Sequence, residues 1–263
     1  MTEEGYLLDN RAAAAGVRFQ ALAAIFDRST FRHLDDLGLA QGWRCWEVGA
    51  GGVSVVRFMA DRVGGDGRVL ATDIDVSWAQ EAAGSIVEFR RHDVGRDAPP
   101  PELFDVVHAR LVLVHVVHRD NALRAMTQVL RPGGWLLVED ADPALQPLSV
   151  LDPRGPDDEL ANRLRTGFRT LLSQRGADLA YGRKLPTLLR EAGFVDVAAD
   201  AYFPVVLPAC AELETATMAM IGDDLVASGV ATVDEIRRHV ANVAEGRVDV
   251  AQPPMISAWG RRP

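Results

Sequence analysis

"CWEVGAGGVSVVRFMADRVGGDGRVLATDID", residues 45–75, is the stretch on which the fold turns. An apolar run over 43–48 ends in Gly49, Gly51 and Gly52, which permit a tight turn. Beyond it Val53, Val56, Phe58, Met59 and Val63 recur at helical spacing. A second strand over 68–72 ends at Asp73. Strand, glycine turn, helix and strand form a β-α-β unit, which packs as parallel strands with a right-handed crossover. A carboxylate at the end of the second strand suits a pair of ribose hydroxyls, so the unit fits an adenosine ligand.

Charge decides which adenosine ligand. The dinucleotide pattern G-x-G-x-x-G is met only in part, because counting from Gly49 puts Gly51 in register but Ser54 where the last glycine belongs. Glu47 stands just ahead of the turn, and a pyrophosphate on the following helix N-terminus is an anion that this carboxylate repels. S-adenosylmethionine carries an ammonium, a sulfonium and a ribose diol, and no phosphate. Glu47 attracts that ligand, and so S-adenosylmethionine is the expected cofactor.

A chain of 263 residues, 48% hydrophobic and 25% charged, can bury a full core and reads as a single domain. Its net charge of −9 opposes the phosphate neutralisation that nucleic-acid binding needs, so no nucleic-acid partner is expected. The N-terminal "MTEEGYLLDN" lacks an apolar signal core and no apolar run is long enough to span a bilayer, so the expectation is a cytoplasmic protein with no membrane partner. Cys45 and Cys210, far apart in the chain, make neither a disulfide framework nor a zinc cluster, and no metal is expected.

Strand-like and helix-like segments alternate onward. Strands are expected over 86–92, 104–109, 135–139, 195–202 and 255–260, and helices over 12–37, 121–130, 157–175, 185–192, 212–228 and 233–245. The helix over 121–130 is expected to stop at "RPGG", where Pro132 and two glycines break it.

In this order the chain resembles the class I S-adenosylmethionine-dependent methyltransferases of the bacterial small-molecule type. The motifs that carry the resemblance are "EVGAGG", "VLATDID", "RHDV", "FDVVHARLVLVH" and "VLRPGGWLLVED", with "YGRKLPTLLREAGFVDV" downstream. Singly they are weak; in series they are specific. The resemblance implies an α/β fold, a doubly wound, Rossmann-like seven-stranded sheet whose last strand inserts antiparallel. It implies a cofactor core over 43–142, closing strands over 194–202 and 255–261, an N-terminal helical lid over 1–42 and cap insertions over 143–193 and 203–252.

By position, the resemblance also implies a cofactor site. Glu47, Gly49 and Gly51 line the methionine end, Asp73 accepts from the ribose hydroxyls, Asp93 takes the adenine amino group, and Ile74 and Val94 lie against the ring. Ala109 and Arg110 approach the methyl group. Val53 departs from the pattern, standing where a third glycine is frequent.

The methyl acceptor is less legible. No N-P-P-[YFW] tetrapeptide follows the fourth strand, and the Pro-Cys dipeptide of cytosine methylation is missing, so the expected acceptor is a small molecule of specialised metabolism. His115 falls near the expected methyl position and reads equally as a catalytic base or as a hydrogen-bonded packing residue; His118 begins a polar turn and His108 reads as structural. Asp120 reads as a helix N-cap rather than a metal ligand. A homodimer is compatible with the sequence, and a non-catalytic S-adenosylmethionine-binding partner of the same fold is the alternative reading.

Overall fold

The apolar runs pair into one sheet. A computed structural model describes residues 7–8, 13–77, 79 and 82–263, so residues 1–6 and 9–12 of the expected lid, with the start of its helix, lie outside the described residues. The strands are β1 (Arg44–Val48), β2 (Arg68–Asp73), β3 (Val87–Arg91), β4 (Phe104–Arg110), β5 (Leu130–Ala141), β6 (Val195–Tyr202) and β7 (Met255–Arg261). Their order is β3-β2-β1-β4-β5-β7-β6, parallel from β3 to β5, with β7 antiparallel to both of its neighbours. This is the doubly wound sheet with an inserted antiparallel strand.

Helices α1 (Ala13–Asp36), α2 (Ser54–Val63), α3 (Arg119–Gln128), α4 (Pro156–Gln174), α5 (Leu185–Glu191), α6 (Pro208–Ala227) and α7 (Val233–Ala244) flank it. Strand side chains alternate faces, so β1 sends Trp46 and Val48 one way and Cys45 and Glu47 the other. Trp46, Val107, Ala109 and Leu136 pack with Leu123 and Met126 of α3 and Leu185 and Leu189 of α5. On the opposite face Cys45, Val69, Val106 and Leu137 pack with Val55, Val56 and Met59 of α2 and Leu34 of α1. The apolar faces of α4 and α6 join Leu8 in a separate cluster away from the sheet.

Two boundaries differ from the sequence reading. α3 ends at Gln128, and β5 starts before the "RPGG" expected to end the helix, with Leu130 already paired to Phe104. The proline and glycines sit where the register shifts between Phe104 and Val106, so they form an irregularity inside a strand. A side chain at Gly134 would lie 3.0 Å from the Asp105 carbonyl, which explains a glycine there. α6 begins four residues earlier than expected because Pro208 occupies its first turn, where a missing N–H costs nothing.

Candidate active site

A cleft opens at the C-terminal ends of β1, β2 and β4, where strand order reverses between β1 and β4, the place at which open α/β sheets bind ligands. Its walls include Glu47, Gly49, Gly51, Asp73, Ile74, Asp93, Val94, Arg110 and His115, nine of the ten residues singled out from sequence. The tenth, Ala109, is fully buried in the core beside Val107, because strand alternation turns it away from the face that carries His108 and Arg110. Leu111 and Val112 form the wall there instead. Leu111 holds a left-handed backbone (φ 58°), rare for a branched residue and a local strain at the mouth of the cleft.

The glycine turn is fixed by contact as well as by conformation. Gly49 and Gly51 have φ of 64° and 52°. A Cβ on Gly49 would fall 2.3 Å from Val112, and one on Gly51 would fall 3.1 Å from the Phe19 ring of α1. Val53 sits at φ −92°, an ordinary conformation, so the missing third glycine introduces no strain.

Asp73 is aimed by the backbone: Oδ2 accepts from the Gly51 amide at 3.0 Å and Oδ1 from the Asp75 amide at 3.1 Å. Burial pushes its carboxyl above the ordinary range, and these amide bonds oppose that shift. Asp93 Oδ1 accepts from the Gly95 amide at 2.9 Å, closing the turn that carries Val94.

Glu47 is the residue whose surroundings were least expected. It is buried, and its Oε2 lies 2.5 Å from His108 Nδ1. His108 Nε2 lies 3.2 Å from Glu139 Oε2. Both ring nitrogens therefore face carboxyl groups, an arrangement that suits a doubly protonated imidazolium; burial acts to lower the His108 pKa, but Glu47 and Glu139 outweigh it and hold it up to about 9. Glu139 also accepts from Thr30 (2.5 Å) and Ser257 (2.7 Å) and meets His33 Nδ1 at 2.9 Å. His33 Nε2 meets Asp200 at 2.9 Å, and Asp200 pairs with Arg32 at the surface at 2.7 Å. Burial lowers the His33 pKa, but its partners Glu139 and Asp200 outweigh it and leave the pKa raised; Glu139 is held far below the usual carboxylate range. A row of alternating charge thus crosses the sheet beneath α1, from the cleft to solvent.

Arg110 is committed to Asp27 (2.9 Å) and Thr30 (3.0 Å) of α1. His115 is half-buried in the wall of the cleft, where desolvation, with Arg18 and Arg119 nearby, pushes its pKa down to about 3. It is neutral at physiological pH. The loop carrying it is fastened through Asp140, buried and raised to about 8, which accepts from the Val114 amide at 3.3 Å.

Residues 46–138 match a family model described as a methyltransferase domain. Phosphoethanolamine N-methyltransferase 1 of Arabidopsis thaliana is 29% identical over 182 residues, 65% of this chain and 33% of that one. A ubiquinone/menaquinone biosynthesis C-methyltransferase of Bordetella parapertussis is 30% identical over 151 residues, 50% of this chain and 58% of that one. The chain therefore spans between a third and three fifths of the length of these relatives. Among solved structures, the Haemonchus contortus phosphoethanolamine N-methyltransferase 2 in complex with phosphomonomethylethanolamine and S-adenosylhomocysteine superposes with a TM-score of 0.58 at 14% identity, over 97% of this chain and 59% of that one.

Proposed function

We propose that this chain, which belongs to the class I S-adenosylmethionine-dependent methyltransferases, moves a methyl group from that cofactor to a small organic acceptor, in the cytoplasm and within specialised metabolism. The observation that carries the reading is the pairing, in one cleft, of a backbone-aimed carboxylate at Asp73 with a second carboxylate at Glu47 beside a turn held open by Gly49 and Gly51. Asp73 suits a ribose diol, and Glu47 suits an ammonium and rejects a pyrophosphate. These residues fit S-adenosylmethionine.

When bound, the cofactor supplies an electrophilic methyl group on a sulfonium. Asp73 holds the ribose, Asp93, Ile74 and Val94 surround the adenine, and Glu47, steadied by His108, holds the ammonium. Phe19 of α1 covers the turn and, with Leu22 along the cleft wall, excludes water from the reacting end. His115 accepts a hydrogen bond from the acceptor and positions it; an imidazole with a pKa of about 3 is a weak proton acceptor, so the proton leaves after transfer, once the alkylated acceptor has become acidic. The relatives are named for N-methylation of phosphoethanolamine and for C-methylation in ubiquinone and menaquinone biosynthesis, two different nucleophiles, which supports a small acceptor without fixing the atom methylated.

Incubation of the protein with methyl-labelled cofactor and fractionated small metabolites tests this. A labelled product that depends on the protein supports transfer. Tight binding of S-adenosylhomocysteine with no labelled product from any fraction supports the alternative, a binding protein of the same fold.

A further inference from the structure

The walls of the cleft carry three arginines, and two are spoken for. Arg110 is paired with Asp27, and Arg96 is exposed beside Asp93 at 3.7 Å. Arg18, from the N-terminal half of α1, is 9% exposed, its Nε is buried with no hydrogen-bond partner, and it makes no ion pair among the described residues. It lines the cleft with its neighbour Phe19, whose ring covers Gly51, and its charge helps to depress the pKa of His115. It therefore stands between the glycine turn and the acceptor side. A guanidinium enclosed to this degree, with its Nε buried and unpartnered, is unfavourable until an anion reaches it.

We propose that Arg18 is an anion-binding residue of the cleft, receiving a carboxylate or phosphate group at the methionine end. This rests on the functional reading above. The anion has two sources with one chemistry. The cofactor's amino-acid end is a zwitterion, and a site that gives Glu47 to the ammonium needs a cation for the carboxylate attached to the same carbon; a planar, forked guanidinium matches it in two hydrogen bonds. The other source is an acidic group on the acceptor, which Arg18 would hold beside His115. In either case Arg18 joins the position of α1 to the contents of the site, because the helix that bears it is fastened to the sheet through Thr30 and His33 on Glu139.

The test is calorimetric titration of the wild type, Arg18→Gln and Arg18→Lys with S-adenosylhomocysteine and with 5′-deoxy-5′-methylthioadenosine, which keeps the adenosine and sulfur but lacks ammonium and carboxylate. Circular dichroism checks each fold. If the anion is the cofactor's, Arg18→Gln weakens S-adenosylhomocysteine by at least tenfold, leaves methylthioadenosine within twofold, and Arg18→Lys recovers part of the loss. If the anion belongs to the acceptor, S-adenosylhomocysteine is unaffected, and inorganic phosphate or acetate binds the saturated wild type but not the Arg18→Gln complex. Equal loss of both nucleosides, or unchanged S-adenosylhomocysteine with no arginine-dependent anion binding, overturns the proposal. Failure of the wild type to bind S-adenosylhomocysteine overturns the functional reading instead; phosphate titration of the free protein and its Arg18→Gln variant then judges Arg18 alone, and equal binding to the two overturns it.

Discussion

Replacing His108 with leucine tests the buried charge row where it is most concentrated. The imidazolium lies between Glu47 at 2.5 Å and Glu139 at 3.2 Å, with no solvent exposure, so its removal leaves two buried carboxylates short of a shared cation. Breaking a buried pair in this way costs about 3–5 kcal/mol. A folded pKa of about 9 against an ordinary imidazole value of about 6.5 gives about 3 kcal/mol by linkage, in agreement. The depressed Glu139 is the same interaction seen from its partner and is not added again. Because the folded pKa of His108 lies above its unfolded value, its contribution is fully present below about pH 6.5 and is lost as pH rises through about 9. Urea unfolding followed by tryptophan fluorescence should therefore show a gap of about 3 kcal/mol between wild type and His108→Leu at pH 6.5, shrinking toward pH 9.5, with the slope in urea unchanged. Comparing the two proteins cancels groups that titrate in both, Asp140 among them. A gap that stays constant across that range would show that His108 acts by packing and not by charge.

Three further outcomes follow from the same geometry. Asp73→Ala should weaken S-adenosylhomocysteine by about 1.5–3 kcal/mol, the worth of charge-assisted bonds to the ribose, and calorimetry reads it directly. Glu47→Gln should fold and lose affinity for S-adenosylhomocysteine while keeping methylthioadenosine, so the ratio of the two dissociation constants is the measurement. Glu47→Lys is expected to fail at the level of folding, because it sets an ammonium against the His108 imidazolium; a cooperative melt at the wild-type temperature would refute that.

The sheet was legible because its signals are local. Alternation, glycine turns and the carboxylates closing "VLATDID" and "RHDV" each sit within a few residues, and six of the seven strands fall within two residues of the expected ends. β5 escaped because Pro132 and its glycines signal a break whether they end a helix or kink a strand, and only the pairing of Leu130 with Phe104 distinguishes the two. The charge row was hidden for another reason. His108 lies in an apolar strand and His33 on an amphipathic helix, and the bonds joining them to Glu47 and Glu139 span 61, 31 and 106 residues of sequence. No spacing rule reaches so far. Arg18 was missed likewise, since a helical pattern tells which face is apolar but not which arginine lacks a carboxylate opposite. Ala109 lies off the cleft wall because strand alternation turns it into the core, and Leu111 and Val112 line the cleft beyond it.

The central claim is that the cleft between β1, β2 and β4 is a S-adenosylmethionine site, and titration of the whole chain with S-adenosylhomocysteine and, separately, NADH measures it most directly. Saturation by S-adenosylhomocysteine at one equivalent per chain, with no heat from NADH, is the predicted result. Binding of NADH in place of S-adenosylhomocysteine would contradict it, because Glu47 could not then face the ligand as an anion.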